Sequence, residues 1–309
     1  ETQNLFSETL PDYLLDQLKL IPKKVALFNI HFPQSSEALA KAQFRLKFEE
    51  LFFVQLQLIT KNLIRKHKIK GHPFTTVGKY FNEFYQNHLP FELTNAQKRV
   101  LKEIRTDMGS NAQMNRLLQG DVGSGKTAVA ALAAACAIDN GYQVALMAPT
   151  EILAEQHFRK LVPWFKALGV EVVWLSGSLK AKEKKAAQAL IASGQARLAI
   201  GTHALIQDDV EFENLGLAII DEQHRFGVRQ RLQLHSKKGS EEIYCHQLMM
   251  SATPIPRTLA MSYYADLDVS VIDELPPGRK PVSTKLIKQS RREEVIQGIR
   301  SELAKGRQA

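Results

Sequence analysis

Hydrophobic positions in the middle of the chain alternate between short apolar runs and longer stretches with helical periodicity. The apolar runs predict strands over Arg116–Gln119, Val144–Ala148, Glu171–Leu175, Arg197–Gly201, Leu217–Asp221, Gln247–Ser251 and Val269–Ile272. Amphipathic or alanine-rich patterns predict intervening helices, notably over Lys126–Asn140, Ile152–Leu168 and Lys180–Ala192. This alternation predicts an α/β fold, in which a mostly parallel sheet carries helices on both faces.

The chain before this region shows helical periodicity and no strand-like alternation. A long helix is predicted over about 35–67, with Ser35 or Ser36 as its N-cap. Its apolar residues recur every three or four positions and share one face, which we expect to pack against a neighbouring domain. These residues are Phe44, Phe48, Phe52, Leu56, Ile59 and Leu63. The helix ends in a basic run over 61–70. A solvated helix end, where positive side chains complement the negative end of the helix dipole, explains this run about as well as phosphate binding does.

Composition shifts along the chain predict three segments. They are a helical segment from an N-terminal part over 1–89, an α/β domain over 90–277, and a linker with the truncated start of another domain over 278–309. Pro276–Arg279 (Pro-Pro-Gly-Arg) is the linker signal. A strand-like stretch at Val282–Ile287 and a helix at Arg291–Lys305 follow, which are too small to fold alone. Because the chain begins without Met, we expect it to be a piece of a larger protein.

Composition narrows the class of protein and leaves its chemistry open. With 44% hydrophobic and 24% charged residues, the chain has the composition of soluble globular proteins, and no apolar run reaches membrane-spanning length. Two cysteines, Cys136 and Cys245, exclude a disulfide-framed scaffold and the common zinc clusters. The 41 Lys and Arg against 32 Asp and Glu leave a charge of +9, for which a nucleic-acid partner and mere solubility are equally good explanations.

One segment between a predicted strand and a predicted helix matches the phosphate-binding P-loop pattern, GxxxxGK followed by Ser or Thr. Its residues are Gly120, Asp121, Val122, Gly123, Ser124, Gly125, Lys126 and Thr127. The glycines let backbone N–H groups turn inward around phosphate oxygens, and the helix presents its positive N-terminus. Lys126 is expected to reach the β- and γ-phosphates, and the Thr127 hydroxyl to ligate Mg²⁺. The motif predicts nucleotide binding.

The apolar strand over Leu217–Asp221 ends in two acids. Asp221 is the candidate Mg²⁺ ligand and Glu222 the candidate general base that polarises the attacking water. Acids commonly end strands, so the pair is informative only together with the P-loop, and jointly the motifs favour hydrolysis over nucleotide storage. The interval from Lys126 to Asp221 leaves room for several strands, so that the two motifs can occupy neighbouring strands.

The residues around the acid pair resemble a known family. The stretch Asp221–Val228, followed by Gln230 and Arg231, resembles the RecG branch-migration helicases of superfamily 2. Further matching stretches are Ala148–His157, Gly201–Ala204, Ser251–Leu259, Tyr264–Asp268 and Ile272–Arg279. The resemblance covers about 89–279. It implies a RecA-like P-loop NTPase domain as the first of two motor domains, ATP and Mg²⁺ as cofactors, and forked or branched double-stranded DNA as the partner.

The resemblance also implies DNA contacts at two strand ends. Pro149, Thr150 and Glu151 form a turn that opens a helix, whose free N–H groups could grip a DNA phosphate. Thr202 and His203 follow another strand end and resemble a second backbone contact. A satisfied loop histidine remains the alternative for His203.

A further element of the family is matched at the end of a later strand. Ser251 and Thr253 resemble the element that connects the nucleotide site to the DNA site, through hydrogen bonding toward His224. The resemblance thus completes a catalytic group of Lys126, Asp221, Glu222 and His224.

A segment ahead of the P-loop resembles the adenine-recognising element. Gln97 can offer both a donor and an acceptor to an adenine edge, and Phe91 can stack on the base. An ordinary helix N-terminus beginning at Thr94 is the competing interpretation.

The chain departs from the family pattern in two places. Nothing in it has the strand-rich pattern of the oligonucleotide-binding wedge, and only the first strand and helix of the second motor domain are indicated, so no arginine finger is nominated. We therefore expect this piece to bind nucleotide weakly and to hydrolyse it poorly. The whole protein is expected to reverse stalled forks and migrate Holliday-junction branches in recombination and repair. We expect it to act as a monomer, away from membranes, at the nucleoid of the bacterial cytoplasm.

Three other functions are each compatible with part of these features. A transcription-repair coupling translocase shares the P-loop, a Phe-Gly-Val stretch and a Thr-Pro-Ile-Pro-Arg element, but Gln223 and the Gln230-Arg231 pair favour RecG. A nucleotide-independent DNA-binding or scaffold module is compatible with the basic helix end, and replacement of Lys126 by Ala would distinguish it. A P-loop kinase leaves the acid pair and Ser251–Thr253 unexplained.

Overall fold

The computed structural model describes residues 6–222, 243–253, 267–274 and 284–308. The chain divides into two compact units, Glu1–Glu274 and Leu275–Ala309. His224 and the predicted Pro-Pro-Gly-Arg linker lie outside the described residues. The predicted division between 89 and 90 remains a prediction.

The regular elements of the described residues follow the predicted alternation closely. The helices are α1 (Asp12–Gln17), α2 (Lys23–His31), α3 (Ser36–Lys68), α4 (Lys79–Glu83), α5 (Asn95–Met108), α6 (Lys126–Asp139), α7 (Glu151–Ala167), α8 (Ala181–Ala192) and α9 (Arg292–Ala304). The strands are β1 (Lys70–Gly71), β2 (Asn115–Gly120), β3 (Gln143–Met147), β4 (Val172–Leu175), β5 (Leu198–Gly201), β6 (Leu215–Asp221), β7 (Ile243–Tyr244), β8 (His246–Ser251) and β9 (Asp268–Ile272). A π-helical turn, Phe84–His88, continues α4, and 3₁₀ turns occupy His203–Ile206 and Gln289–Arg291.

The first unit is built on a sheet with the strand order β4-β5-β3-β6-β8-β2-β9. Every neighbouring pair in it is parallel. Buried side chains pack against both faces. The α/β prediction is therefore confirmed, because all the predicted sheet strands are present with ends shifted by no more than two residues.

The prediction that the P-loop strand and the acid-pair strand can be neighbours is wrong. Strand β8 lies between β2 and β6 and is hydrogen-bonded to both of them. Pairing is decided by long-range packing, so a strand from much later in the chain can insert between two earlier ones. The end of β8, which carries Ser251, consequently lies between the P-loop and Asp221.

One face of the sheet is covered by α6, which is buried all round from Ala128 to Ile138. A helix that is apolar on every side belongs inside a core, and its alanines allow close approach to the sheet. On the sheet itself, a Cβ at Gly201 would lie 1.8 Å from the Leu175 carbonyl oxygen. Only glycine therefore permits this approach of β5 to β4.

The long helix α3 is confirmed, and the Ser35 hydroxyl caps it by accepting a hydrogen bond from the Ala38 N–H at 3.1 Å. Its predicted apolar stripe is largely uncovered within the described part of the chain, since Phe44 and Leu63 are 60% and 63% exposed. The expected domain partner for the stripe remains a prediction. The buried residues of the helix are Ala42, Arg45 and Arg65.

The basic end of α3 is attached to the sheet. The Lys66 Nζ lies 2.8 Å from a carboxylate oxygen of Asp268 in β9, and Arg65 donates to the Gln113 carbonyl oxygen at 3.3 Å. Part of the basic run therefore forms contacts within the protein, which accounts for these two cations without phosphate.

The second unit, taken by itself, contains α9 and the turn before it, as predicted for Arg291–Lys305. The strand expected over Val282–Ile287 is wrong for the residues that the structure describes, because 284–287 form no strand. A strand needs a pairing partner, and Leu286 is fully exposed. Across the described residues, no helix combines the length and the apolar character needed to cross a membrane.

Candidate functional site

The predicted phosphate loop connects the end of β2 to the first turn of α6. Gly123 and Gly125 have φ angles of +79° and +88°, in the left-handed region that favours glycine. A Cβ at Gly125 would also lie 2.2 Å from the Gln97 Nε2. Both the backbone angle and the close contact therefore require glycine at position 125.

The lysine of the loop folds back onto the loop itself. Its Nζ donates hydrogen bonds to the carbonyl oxygens of Gly120 at 2.5 Å and Asp121 at 2.9 Å. Burial lowers the pKa of Lys126, against the opposing effect of the carboxylates of Asp221, Glu222 and Asp121. The ammonium group thus lies in a desolvated position facing carboxylates, and its hydrogen-bond partners are two carbonyl oxygens whose place phosphate oxygens can take.

The remaining polar atoms of the loop also fit an oxygen-rich anion. The Ser124 hydroxyl is buried and has no hydrogen-bond partner among the residues that the structure describes. Gly125 is the N-cap of α6 and contributes no side chain, so the helix N-terminus opens into the loop. Val122, at the tip, is 71% exposed, and Thr127 lies half-buried in the first turn of α6.

The acid pair lies at the end of β6, two strands away from β2. One oxygen of Asp221 accepts a hydrogen bond from the Glu222 N–H at 3.1 Å, and the other lies 2.6 Å from the His157 Nε2. Glu222 has a φ of +51°, which is unusual for a residue other than glycine and turns the chain sharply at the strand end. The contact with His157 was not predicted, and no local sequence signal identifies it.

The oxygen donors at these strand ends suit Mg²⁺. Mg²⁺ is typically held by one or two protein oxygens together with phosphate oxygens and water. The Thr127 hydroxyl and the Asp221 carboxylate are the two oxygens predicted for this role, and no group of three or more His, Cys, Asp or Glu side chains able to hold a metal occurs among the described residues. The donor set fits a cation that arrives with a nucleotide.

Gln97 lies beneath the loop and is completely buried. Its Oε1 accepts a hydrogen bond from the Thr94 N–H at 2.9 Å, and the Thr94 hydroxyl caps the first turn of α5 in return. Its Nε2 donates to the Ser124 carbonyl oxygen at 2.7 Å. The helix N-terminus at Thr94 is therefore real, and Gln97 in addition ties α5 to the loop. Recognition of adenine by Gln97 and by the 39%-exposed Phe91 remains a prediction.

The first predicted DNA contact lies at the end of β3. Thr150 caps α7 by accepting a hydrogen bond from the Leu153 N–H at 3.4 Å, and Pro149 precedes it, partly exposed. Glu151 accepts a hydrogen bond from the Ser178 N–H at 3.2 Å. That hydrogen bonding, with a smaller effect of nearby His203, lowers the pKa of Glu151.

The second predicted contact lies at the end of the adjacent strand β5. Thr202 is buried, and its hydroxyl has no hydrogen-bond partner within the described stretches. His203 is exposed. The structure thus places His203 at the surface and turns the Thr202 side chain inward.

Ser251 and Thr253 lie at the end of β8, between the two halves of the nucleotide site. Their hydroxyl oxygens are 2.9 Å apart, and the Thr253 N–H donates to the Ser251 Oγ at 3.2 Å. The predicted partner His224 lies outside the described residues. The pair therefore lies at the same edge of the sheet as the P-loop and the acid pair. Its contact with His224 stays a prediction.

Neither cysteine takes part in this site. Neither forms a disulfide and both are buried, and burial raises the pKa of Cys136 to about 11 and that of Cys245 to about 12. Such thiols remain protonated at neutral pH, so they are poor nucleophiles and poor metal ligands.

Comparisons with known proteins support the same interpretation. The family model described as DEAD/DEAH box helicase matches residues 94–262. The ATP-dependent DNA helicase RecG of Thermotoga maritima is 50% identical over 304 residues, which are 98% of this chain and 38% of that protein. The RecG of Synechocystis is 47% identical over 302 residues, 98% of this chain and 36% of that protein. These matches confirm the resemblance that the motifs indicate.

Solved structures agree with the sequence matches. A structure of RecG bound to a three-way DNA junction is similar with a TM-score of 0.78 and 45% identity, over 97% of this chain and 40% of that one. The helicase MrfA bound to DNA shares the fold, with a TM-score of 0.51 and 16% identity over 76% of this chain and 36% of that one. The chain spans about two fifths of the length of the curated relatives it matches.

Proposed function

Because the chain belongs to the DEAD/DEAH box helicase family, we propose that it is the nucleotide-binding half of an ATP-dependent motor that remodels branched double-stranded DNA. One observation carries the proposal. The P-loop, Ser251 and the acid pair end three consecutive strands of one parallel sheet, β2, β8 and β6. In open α/β sheets, ligands bind outside the carboxyl ends of the strands.

Within this site, Lys126 binds the β- and γ-phosphates after leaving the carbonyl oxygens of Gly120 and Asp121. The bound Mg²⁺ supplies charge neutralisation on the phosphates, and Thr127 and Asp221 are the residues that would hold it. Glu222 orients the attacking water and accepts its proton. Gln97 holds the loop through Ser124, and its second amide N–H and second Oε1 lone pair are what it offers to the adenine edge, with Phe91 stacking on the base.

The DNA-binding part of the proposal rests on the neighbouring strand ends. The segment Pro149–Glu151, which leads into α7, and the exposed His203 lie at the carboxyl ends of β3 and β5, beside the nucleotide site on the same sheet. Backbone N–H groups at a helix N-terminus are suited to a DNA phosphate. Ser251 and Thr253, together with His224, connect this surface to the acid pair.

We further propose that the whole protein reverses stalled forks and migrates branches as a monomer, at the bacterial nucleoid. Hydrolysis needs a second motor domain to complete the cleft, and this chain by itself is expected to turn over ATP poorly. The RecG matches over nearly the whole chain favour this activity over transcription-repair coupling and over a non-catalytic scaffold.

The proposal is tested by the ATPase activity of the full-length protein with and without forked DNA. We expect DNA to stimulate the activity, and Lys126→Ala to abolish it while DNA binding is retained. Absence of stimulation by forked DNA, or unchanged activity in Lys126→Ala, contradicts the proposal.

A further inference from the structure

The carboxylate of Asp221 is held by a side chain from a different element. His157 lies in the second turn of α7, and its Nε2 is 2.6 Å from the Asp221 Oδ2. The two side chains are 11% and 14% exposed, so the contact is largely shielded from water. It is a long-range contact between α7 and the end of β6.

We propose that His157 is a positioning residue of the motor, which orients the Asp221 carboxylate for the Mg²⁺–nucleotide complex. This inference rests on the proposed function, because it takes Asp221 as the metal-binding carboxylate. His157 touches neither the nucleotide nor the reacting atoms and acts through Asp221.

The geometry fixes the carboxylate from both sides. The Glu222 N–H donates to Oδ1 at 3.1 Å, and the imidazole occupies the other oxygen. A carboxylate with a hydrogen bond to each oxygen has little freedom to rotate about its terminal torsion. Each oxygen also retains a lone pair directed elsewhere, so the hydrogen bonds orient the group without occupying all of its acceptor sites.

Such supporting partners have measurable effects at metal sites. Ligating carboxylates are generally hydrogen-bonded in turn, and loss of the supporting partner typically lowers metal affinity or activity by about 10- to 100-fold. Mg²⁺ is especially demanding because it requires nearly ideal octahedral geometry. A carboxylate that rotates freely would therefore bind the Mg²⁺–nucleotide complex less well.

The position of His157 in α7 gives the contact a second consequence. The same helix begins at Thr150 and Glu151, the predicted DNA contact, and runs from there to the imidazole in two turns. A rigid helix thus connects the DNA-binding edge to the acid pair, and this connection does not pass through Ser251 or His224.

The experiment uses the full-length protein and three replacements, His157→Ala, His157→Phe and His157→Gln. Glutamine places an amide N–H near the original Nε2, whereas phenylalanine keeps the ring volume without a donor. Arg159→Gln, on the exposed side of the same helix and 76% exposed, is the matched control. Binding of a fluorescent ATP analogue is titrated with Mg²⁺ and, separately, in EDTA.

We expect the Mg²⁺ concentration for half-maximal binding to rise about tenfold or more in the Ala and Phe variants. Affinity for the analogue in EDTA should stay within about twofold of the wild type, because the P-loop contacts are untouched. In the Gln variant, the Mg²⁺ concentration for half-maximal binding should return close to the wild-type value. Arg159→Gln should match the wild type. A purely structural histidine would lower the melting temperature without moving the Mg²⁺ dependence.

The inference is overturned if the Ala and Phe variants keep the wild-type Mg²⁺ dependence, or if Gln is no better than Phe. If the Ala variant does not fold, the comparison of Phe with Gln decides the question. Failure of the proposed function would be distinguished by the result for the wild type. In that case the wild type itself shows no Mg²⁺-dependent nucleotide binding, and the inference falls with it.

Discussion

Acid is expected to destabilise the first unit through one buried histidine. His246 begins β8 and is completely buried. Its Nδ1 accepts a hydrogen bond from the Met114 N–H at 2.9 Å, and its Nε2 donates to the His72 carbonyl oxygen at 2.6 Å. The Phe74 ring packs edge-on against it at 4.7 Å. Both nitrogens are satisfied only in the neutral form, and burial lowers the pKa of His246 to about 4.

The size and sign of the effect follow from this lowered pKa. The unfolded chain binds a proton at His246 below pH 6.5, whereas the folded chain does so only near pH 4. The free energy of unfolding is therefore unaffected by His246 above pH 6.5 and decreases as the pH falls below it. The loss amounts to about 2 kcal/mol at pH 5 and approaches about 3 kcal/mol below pH 4.

The assay is urea denaturation of the 309-residue chain at pH 7.5 and at pH 5, with unfolding monitored by tryptophan fluorescence. His246→Asn keeps an acceptor for the Met114 N–H but cannot titrate, and His67→Gln replaces an exposed histidine as the control. The wild type should exceed His246→Asn in free energy of unfolding at pH 7.5, and this difference should be about 2 kcal/mol smaller at pH 5. A difference that is the same at both pH values would refute the reasoning.

Three further outcomes are expected. Gly201→Ala should destabilise the chain by about 3 kcal/mol, because the new Cβ overlaps a carbonyl oxygen of β4, whereas Gly177→Ala, which has open space around it, should stay within about 0.5 kcal/mol in the same denaturation assay. Arg116→Met should lower the free energy of unfolding by about 3 kcal/mol, because it leaves carboxylates of α5 without their buried cation. An unchanged midpoint of thermal unfolding would contradict this. Gln97→Ala should weaken binding of a fluorescent ATP analogue about tenfold by releasing the phosphate loop, and an unaltered Kd would argue against this role.

The sequence predicts local features of this fold well. The strand over Leu215–Asp221 and the buried helix Lys126–Asp139 were both visible, because apolar runs and alanine-rich periodicity determine local structure directly. The P-loop was equally clear, since its glycines are required by the local backbone angles. The sequence predicts Ser35 or Ser36 as the N-cap of α3, and the structure shows that it is Ser35.

Features that depend on distant parts of the chain were missed. The insertion of β8 between β2 and β6 is decided by packing across the whole sheet, which no local pattern records. The contact of His157 with Asp221 joins residues 64 positions apart. The amide of Gln97 suits an adenine edge, which stays a prediction, whereas its hydrogen bond to the Ser124 carbonyl oxygen depends on how α5 packs and has no local sequence signal. Residues 284–287 have a strand-like composition but form no strand with any part of the chain that the structure describes.

We propose that this chain belongs to a motor that acts on branched DNA. The most direct test of this proposal is the remodelling of a labelled replication fork by the full-length protein with Mg²⁺ and ATP. We expect conversion of the fork to regressed product, with no conversion without ATP or by the Lys126→Ala variant. A fork that the wild type binds but leaves unchanged in the presence of ATP would contradict it.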